Sequence, residues 1–165
     1  MRFNSVAIAP QRLRPHTNGA ARINFSLNGT PVAAREDETI LQAADRHGIE
    51  IPRLCYKEGY RPDGNCRVCM VEIEGERVLA PSCCRRPSEG MTVTSTSARA
   101  VASQKLVTEL LLTDMPAQTV SPYKRESELD VWAAKLGVTK PRYPQRHQPA
   151  PDLSHPAMSS APACR

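Results

Sequence analysis

Cysteines are the residues best suited to chemistry in this chain of 165 residues, and there are six, at positions 55, 66, 69, 83, 84 and 164. Four of them form the pattern C-x10-C-x2-C-x13-C. Thiolates bind iron or zinc, or pair into disulfides. Disulfides need an oxidising compartment, and the N-terminus shows none of the apolar stretch of a secretory signal. Scattered core cysteines would not gather in a loop rich in Gly, Pro and Asp. Zinc is also bound by four thiolates. Its modules usually bring two C-x2-C pairs together, whereas only Cys66 and Cys69 form such a pair here. A [2Fe–2S] cluster needs four thiolates, two per iron, converging on a small volume. Gly59 and Gly64 supply the permissive backbone for a loop that wraps it. The cluster fits better, with zinc as the rival.

Other chemistry is hard to find. There is no Ser/His/Asp or Cys/His set, no P-loop and no G-x-G-x-x-G, so the chain has no catalytic site of its own on this reading. The net charge is +5, but it is unevenly placed. Residues 1–21 hold Arg2, Arg12 and Arg14 and no acid, while residues 22–115 hold 12 basic and 13 acidic residues. The central part is therefore not a basic nucleic-acid platform. No run approaches the length of a membrane span, and with no export signal a cytoplasmic protein is expected.

The elements that must position the cysteines read as α+β. Arg22–Leu27 alternates, with Ile23, Phe25 and Leu27 on one side. Asn28-Gly29 is a two-residue hairpin turn, and Thr30–Ala34 is the return strand. Asp37-Glu38-Thr39 suits a helix start; Ile40, Leu41, Ala43 and Ala44 form its apolar face, and Gly48 stops it after His47. A long loop covers 52–66. Arg67–Ile73 and Glu76–Ala80 read as a strand pair, and Met91–Thr96 as a further strand. Ala98–Thr113 is a helix with Val101, Leu106, Val107, Leu110 and Leu111 largely on one side.

Three segments follow: a flexible N-terminal stretch 1–21, a domain 22–115, and a linker and tail 116–165. The last holds eight of the 15 prolines, so 139–165 is expected to be extended or disordered. A short helix is expected at 127–136, with Trp132 as a packing anchor.

The stretch Pro52-Arg-Leu-Cys55-Tyr56, followed by Gly64-Asn-Cys66-Arg67-Val-Cys69, resembles the [2Fe–2S] signature of the complex I large peripheral subunit. The same domain opens the α subunit of NAD-dependent, molybdenum- or tungsten-containing formate dehydrogenases. Ala80-Pro-Ser-Cys83 looks like the segment carrying the fourth ligand. The resemblance covers about residues 22–115. It implies a β-grasp, 2Fe-2S ferredoxin-like domain, and ligands Cys55, Cys66, Cys69 and Cys83, with Tyr56 and Arg67 beside the cluster. For Arg67 a plain surface charge is an equal reading. Cys84 rivals Cys83; strand alternation lets only one of them face the cluster, and the resemblance selects Cys83.

The resemblance breaks off after the helix Ala98–Thr113. Many relatives follow it with a His and three cysteines for a [4Fe–4S] cluster; this chain reads Leu110-Leu-Leu-Thr-Asp114-Met-Pro-Ala-Gln118 instead. Asp152-Leu-Ser-His155-Pro156-Ala157-Met158 resembles a lead-in to the ferredoxin segment of some formate dehydrogenase α subunits. Cys164 falls about where that segment's first cysteine would begin. The chain thus looks truncated or stand-alone, with Cys164 a free thiol and His155 a loop residue. The expected role is one-electron transfer as a module of an NAD-linked formate dehydrogenase or complex I-like oxidoreductase. Its partners would be flavin/NAD-binding or molybdenum/tungsten formate dehydrogenase subunits. The alternatives are a stand-alone ferredoxin-like carrier and a zinc-stabilised interaction domain.

Overall fold

The structure, a computed structural model, describes residues 22–115 and 127–144. The expectations for the segment 1–21, the linker 116–126, most of the proline-rich tail, His155 and Cys164 lie outside the described residues.

Strands β1 (Arg22–Leu27) and β2 (Thr30–Arg35) form an antiparallel hairpin. Its turn needs two left-handed residues, and Asn28 (φ 54°) and Gly29 (φ 79°) supply them. Helix α1 (Ile40–Arg46) follows. Thr39 caps it: its hydroxyl accepts the Gln42 N–H at 3.3 Å, and the Gln42 side chain accepts the Thr39 N–H at 2.9 Å. This reciprocal pair satisfies two N–H groups that the helix start would leave open. Three strands follow: β3 (Met70–Ile73), β4 (Ala80–Pro81) and β5 (Thr92–Thr94). The sheet order is β2-β1-β5-β3-β4, with β1 and β5 parallel and the other pairs antiparallel. Helix α2 (Ala98–Asp114) packs against β3, and α3 (Glu128–Lys135) packs against α2. The fold is a mixed sheet with helices, an α+β domain.

The core gathers one face of the hairpin, the apolar face of α1 and the middle of the sheet. Phe25, Leu27, Val32, Ile40, Leu41, Ile51, Val71, Ile73 and Val93 are buried in one cluster, and Cys69 and Cys83 belong to it. Each large aliphatic side chain buried this way contributes about 1.5–3 kcal/mol. Among the described residues no helix is long and apolar enough to cross a membrane.

Three expectations are corrected. The strand foreseen at Arg67–Ile73 starts only at Met70, because Arg67 is left-handed (φ 59°) and cannot extend a ladder. The strand foreseen at Glu76–Ala80 shrinks to Ala80–Pro81, since the Glu76 N–H turns back onto the Ile73 carbonyl at 3.0 Å. The third concerns α2, whose foreseen apolar side coincides only in part with the side that docks: Val101, Val107 and Leu111 are half-buried, but Leu106 and Leu110 are exposed. Ala100, Gln104 and Thr108, spaced four apart, and Thr113 are the buried positions. The polar face is viable because its groups are satisfied: the Gln104 amide donates to the carbonyls of Met70 (2.9 Å) and Ser95 (3.1 Å), and the Thr108 hydroxyl to the Gln104 carbonyl (2.8 Å).

Helix α3 is held by buried Leu129 and Ala133, and Val138 is buried just after it. Lys135 pairs with Glu50 in the loop after α1, and Arg142 with Glu109 of α2 at 2.7 Å. Trp132 is only half-buried, with the Lys135 ammonium 4.7 Å above its ring.

Candidate metal centre

The loop from Ile51 to Cys69 and the turn after β4 bring five thiols to one end of the core. Gly59, Gly64 and Arg67 all have positive φ, at 84°, 65° and 59°, which lets the loop reverse direction repeatedly over a short distance. Within it the Cys66 N–H donates to the Cys55 sulfur at 3.4 Å, and both residues are half-buried. Cys69 lies at the loop's inner end and is buried.

The fourth segment is fixed from three directions. The Cys84 and Arg85 N–H groups both donate to the Pro81 carbonyl at 3.0 Å, closing a turn. The Ser82 carbonyl accepts the Leu41 N–H at 3.0 Å, and the Arg85 carbonyl accepts the Ile40 N–H at 2.8 Å. The open N–H groups of the first turn of α1 therefore grip the turn on either side of Cys83 and Cys84. The Ser82 side chain, itself buried, ties the turn to Cys69.

Cys55 interacts with Cys66, and Cys83 interacts with both Cys69 and Cys84, its sulfur lying 3.6 Å from that of Cys84. The donated thiol hydrogen bond from Cys83 outweighs burial and holds Cys69 down at about 6. The same bond, with burial, pushes Cys83 up. Burial is the largest influence on Cys66 and raises it. Among the described residues no three His, Cys, Asp or Glu side chains gather tightly enough to hold one metal ion. Four thiolates can be shared two per iron in a binuclear iron centre, or can all be bound to a single zinc ion. The residues present therefore fit a [2Fe–2S] cluster.

Neighbouring residues divide into inner and outer. Tyr56 leans on the core, and burial raises its hydroxyl despite the Gln42 hydrogen bond that lowers it. Arg67 is exposed. An open depression of about 470 Å³ beside Cys55 is lined by Lys57, Tyr60, Arg61 and Asp63. Cys84 is exposed, yet its sulfur lies 3.6 Å from that of Cys83. Residues 82–84 form a turn, so the alternation argument that set the two cysteines on opposite sides does not apply. Sequence reasoning missed Ser82 and the role of Gly64, whose absent Cβ makes room for the Cys84 sulfur. A serine between a proline and a cysteine gives no signal of its own; a glycine in a cysteine loop gives a weak one.

Comparison with known proteins agrees with this chemistry. Residues 20–98 match the model of the 2Fe-2S iron-sulfur cluster binding domain. The chain is 36% identical over 127 residues to the NADP-reducing hydrogenase subunit HndD of Solidesulfovibrio fructosivorans, covering 73% of this chain and 22% of that one. It is 32% identical over 124 residues to the mitochondrial NADH-ubiquinone oxidoreductase 78 kDa subunit of Candida albicans, covering 74% and 17%. The chain thus spans less than a quarter of the length of these relatives. A crystal structure of an NAD+-reducing [NiFe]-hydrogenase in the H2-reduced state superposes with a TM-score of 0.73 at 27% identity, over 82% of this chain and 58% of that one. The sequence match and the shared fold agree: residues 20–98 of this chain are a 2Fe-2S iron-sulfur cluster binding domain.

Proposed function

We propose that this domain passes single electrons through one [2Fe–2S] cluster held by Cys55, Cys66, Cys69 and Cys83, as a β-grasp module of an NAD(P)-linked oxidoreductase working in the cytoplasm. The observation that carries the reading is that a turn and a loop far apart in sequence bring their cysteines together, Cys83 beside Cys69 and the Cys84 sulfur against Gly64, in a domain whose family binds this cluster. When bound, the cluster supplies a one-electron couple. The protein's share is positional. Cys69 and Cys83 are buried on the core side, which keeps water from that pair, and the grip of α1 on the 81–85 turn holds Cys83 in place. Cys55, half-buried, lies at the depression lined by Lys57, Tyr60 and Arg61, and this is the side from which a redox partner approaches.

The partners we infer are flavin/NAD-binding subunits, or the molybdenum/tungsten subunit of a formate dehydrogenase. The relatives are named as subunits of a hydrogenase and of an NADH-ubiquinone oxidoreductase, which supports the NAD(P)-linked setting. The formate-linked choice rests on the short resemblance at residues 152–158. The test is an anaerobic reductive titration of the isolated chain followed by visible absorbance, with affinity purification from the native cell. Reversible uptake of about one electron per chain, with oxidoreductase subunits co-purifying, is expected. A chain that takes up no electron reversibly contradicts the reading; one that does so but never co-purifies with such subunits is a stand-alone carrier.

A further inference from the structure

Cys84 is the one thiol at this end of the core that the ligand set leaves out, and three observations place it within reach of the same metal position. Its sulfur is 3.6 Å from that of Cys83. It also sits 3.9 Å from the Pro62 carbonyl and against Gly64, where an added Cβ would lie only 2.8 Å away, so it leans over the cysteine loop and not away from it. The turn that carries both cysteines is pinned on each side by α1, through the Ser82 and Arg85 carbonyls. Both sulfurs are therefore carried side by side on one fixed turn. Cys83 is buried and Cys84 exposed.

We propose that Cys84 is a reserve ligand: it replaces Cys83 as the fourth sulfur donor when Cys83 is lost or released. This rests on the reading above that Cys83 is the resident ligand. In the exchange one iron–sulfur bond to Cys83 breaks and one to Cys84 forms. The proton of the Cys84 thiol passes to the Cys83 sulfur, and no oxidation state changes, so no further reagent is needed. The buried sulfur is the resident because it is shielded from water and oxidants; the exposed one is the substitute.

The test compares Cys83→Ala, Cys84→Ala and the double variant, made with ample iron, by iron and sulfide content, visible circular dichroism and alkylation with iodoacetamide. Cys84→Ala should keep the wild-type content and spectrum. Cys83→Ala should keep iron and sulfide with a shifted spectrum, and Cys84, alkylated in the wild type, should become protected. The double variant should lose the cluster. Cys83→Ala that is folded but as empty as the double variant overturns the proposal, and so does a double variant that keeps the cluster. If Cys83→Ala does not fold, the near-isosteric Cys83→Ser is compared with Cys83→Ser/Cys84→Ala; identical spectra in these two also overturn it. Loss of the cluster in Cys84→Ala alone, with a wild-type spectrum in Cys83→Ala, would instead overturn the ligand assignment beneath it.

Discussion

Ser82 donates both its N–H and its hydroxyl to the carbonyl of Cys69, at 3.1 and 2.8 Å. These two hydrogen bonds tie the third cysteine segment to the fourth. Ser82→Ala removes the hydroxyl but leaves the N–H donor, so the carbonyl keeps a partner. The expected loss is about 0.5–1.5 kcal/mol, read as a lower denaturant midpoint of the holoprotein. Iron should also be lost to a chelator faster than from the wild type. Unchanged loss kinetics would show that the hydroxyl does not steady the two segments.

Gln104 is the second polar fastening. Its amide reaches the carbonyls of Met70 and Ser95 just beyond the end of β5. Gln104→Met keeps the volume but removes both donors and leaves two acceptors in a buried place. A loss of about 1–3 kcal/mol is expected, while Leu106→Ala and Leu110→Ala, on the exposed side of α2, should cost less. If the leucines prove the costlier changes, the docking face of α2 is misassigned.

How far the sequence could be read follows from these two residues. The β1–β2 hairpin was legible because alternation and Asn28-Gly29 are local signals, and α1 because Thr39 and Gly48 mark its ends within the same short stretch. The docking face of α2 was legible only in part, through half-buried Val101, Val107 and Leu111. A buried Gln104 looks like a surface residue until the carbonyls that satisfy it are brought alongside by β3 and β5, and hydropathy cannot foresee that. The cysteine spacing pointed to the metal centre, since four thiolates at loop spacing suit little else. The strand premise behind choosing between Cys83 and Cys84 failed, because residues 82–84 form a turn and that turn is fixed by α1, about 40 residues earlier in the chain.

Gly64 combines two demands, a positive φ of 65° and space for the Cys84 sulfur. Gly64→Ala should cost about 1–2 kcal/mol from the left-handed backbone alone, with more from the contact at 2.8 Å. Adding Cys84→Ala should recover the contact part and leave the backbone part. A double variant no more stable than Gly64→Ala would mean that the sulfur moves aside freely. Thermal denaturation of the holoproteins measures both.

Glu38 gives the domain an acid-sensitive fastening. Burial would raise its carboxyl, but the two-pronged Arg46 contact, at 2.7 and 3.2 Å, and the Arg35 N–H at 2.9 Å outweigh it and hold the group below its ordinary 4.5. A folded value below the unfolded one contributes stability above about pH 4.5, and that contribution fades as pH falls through the folded value. Glu38→Gln should therefore lose stability at neutral pH, by under about 1 kcal/mol for a pair this near the surface, and the gap to wild type should close in acid. A gap that persists at low pH would assign the effect to packing.

The central claim is that this end of the core holds two irons and two sulfides on cysteine sulfur. Metal and sulfide analysis of the anaerobically purified chain, with electron paramagnetic resonance after reduction, tests it most directly. The account predicts about two irons and two sulfides per chain and an S = 1/2 signal in the reduced state. One zinc per chain with no iron or sulfide, from protein made with ample iron, would contradict it.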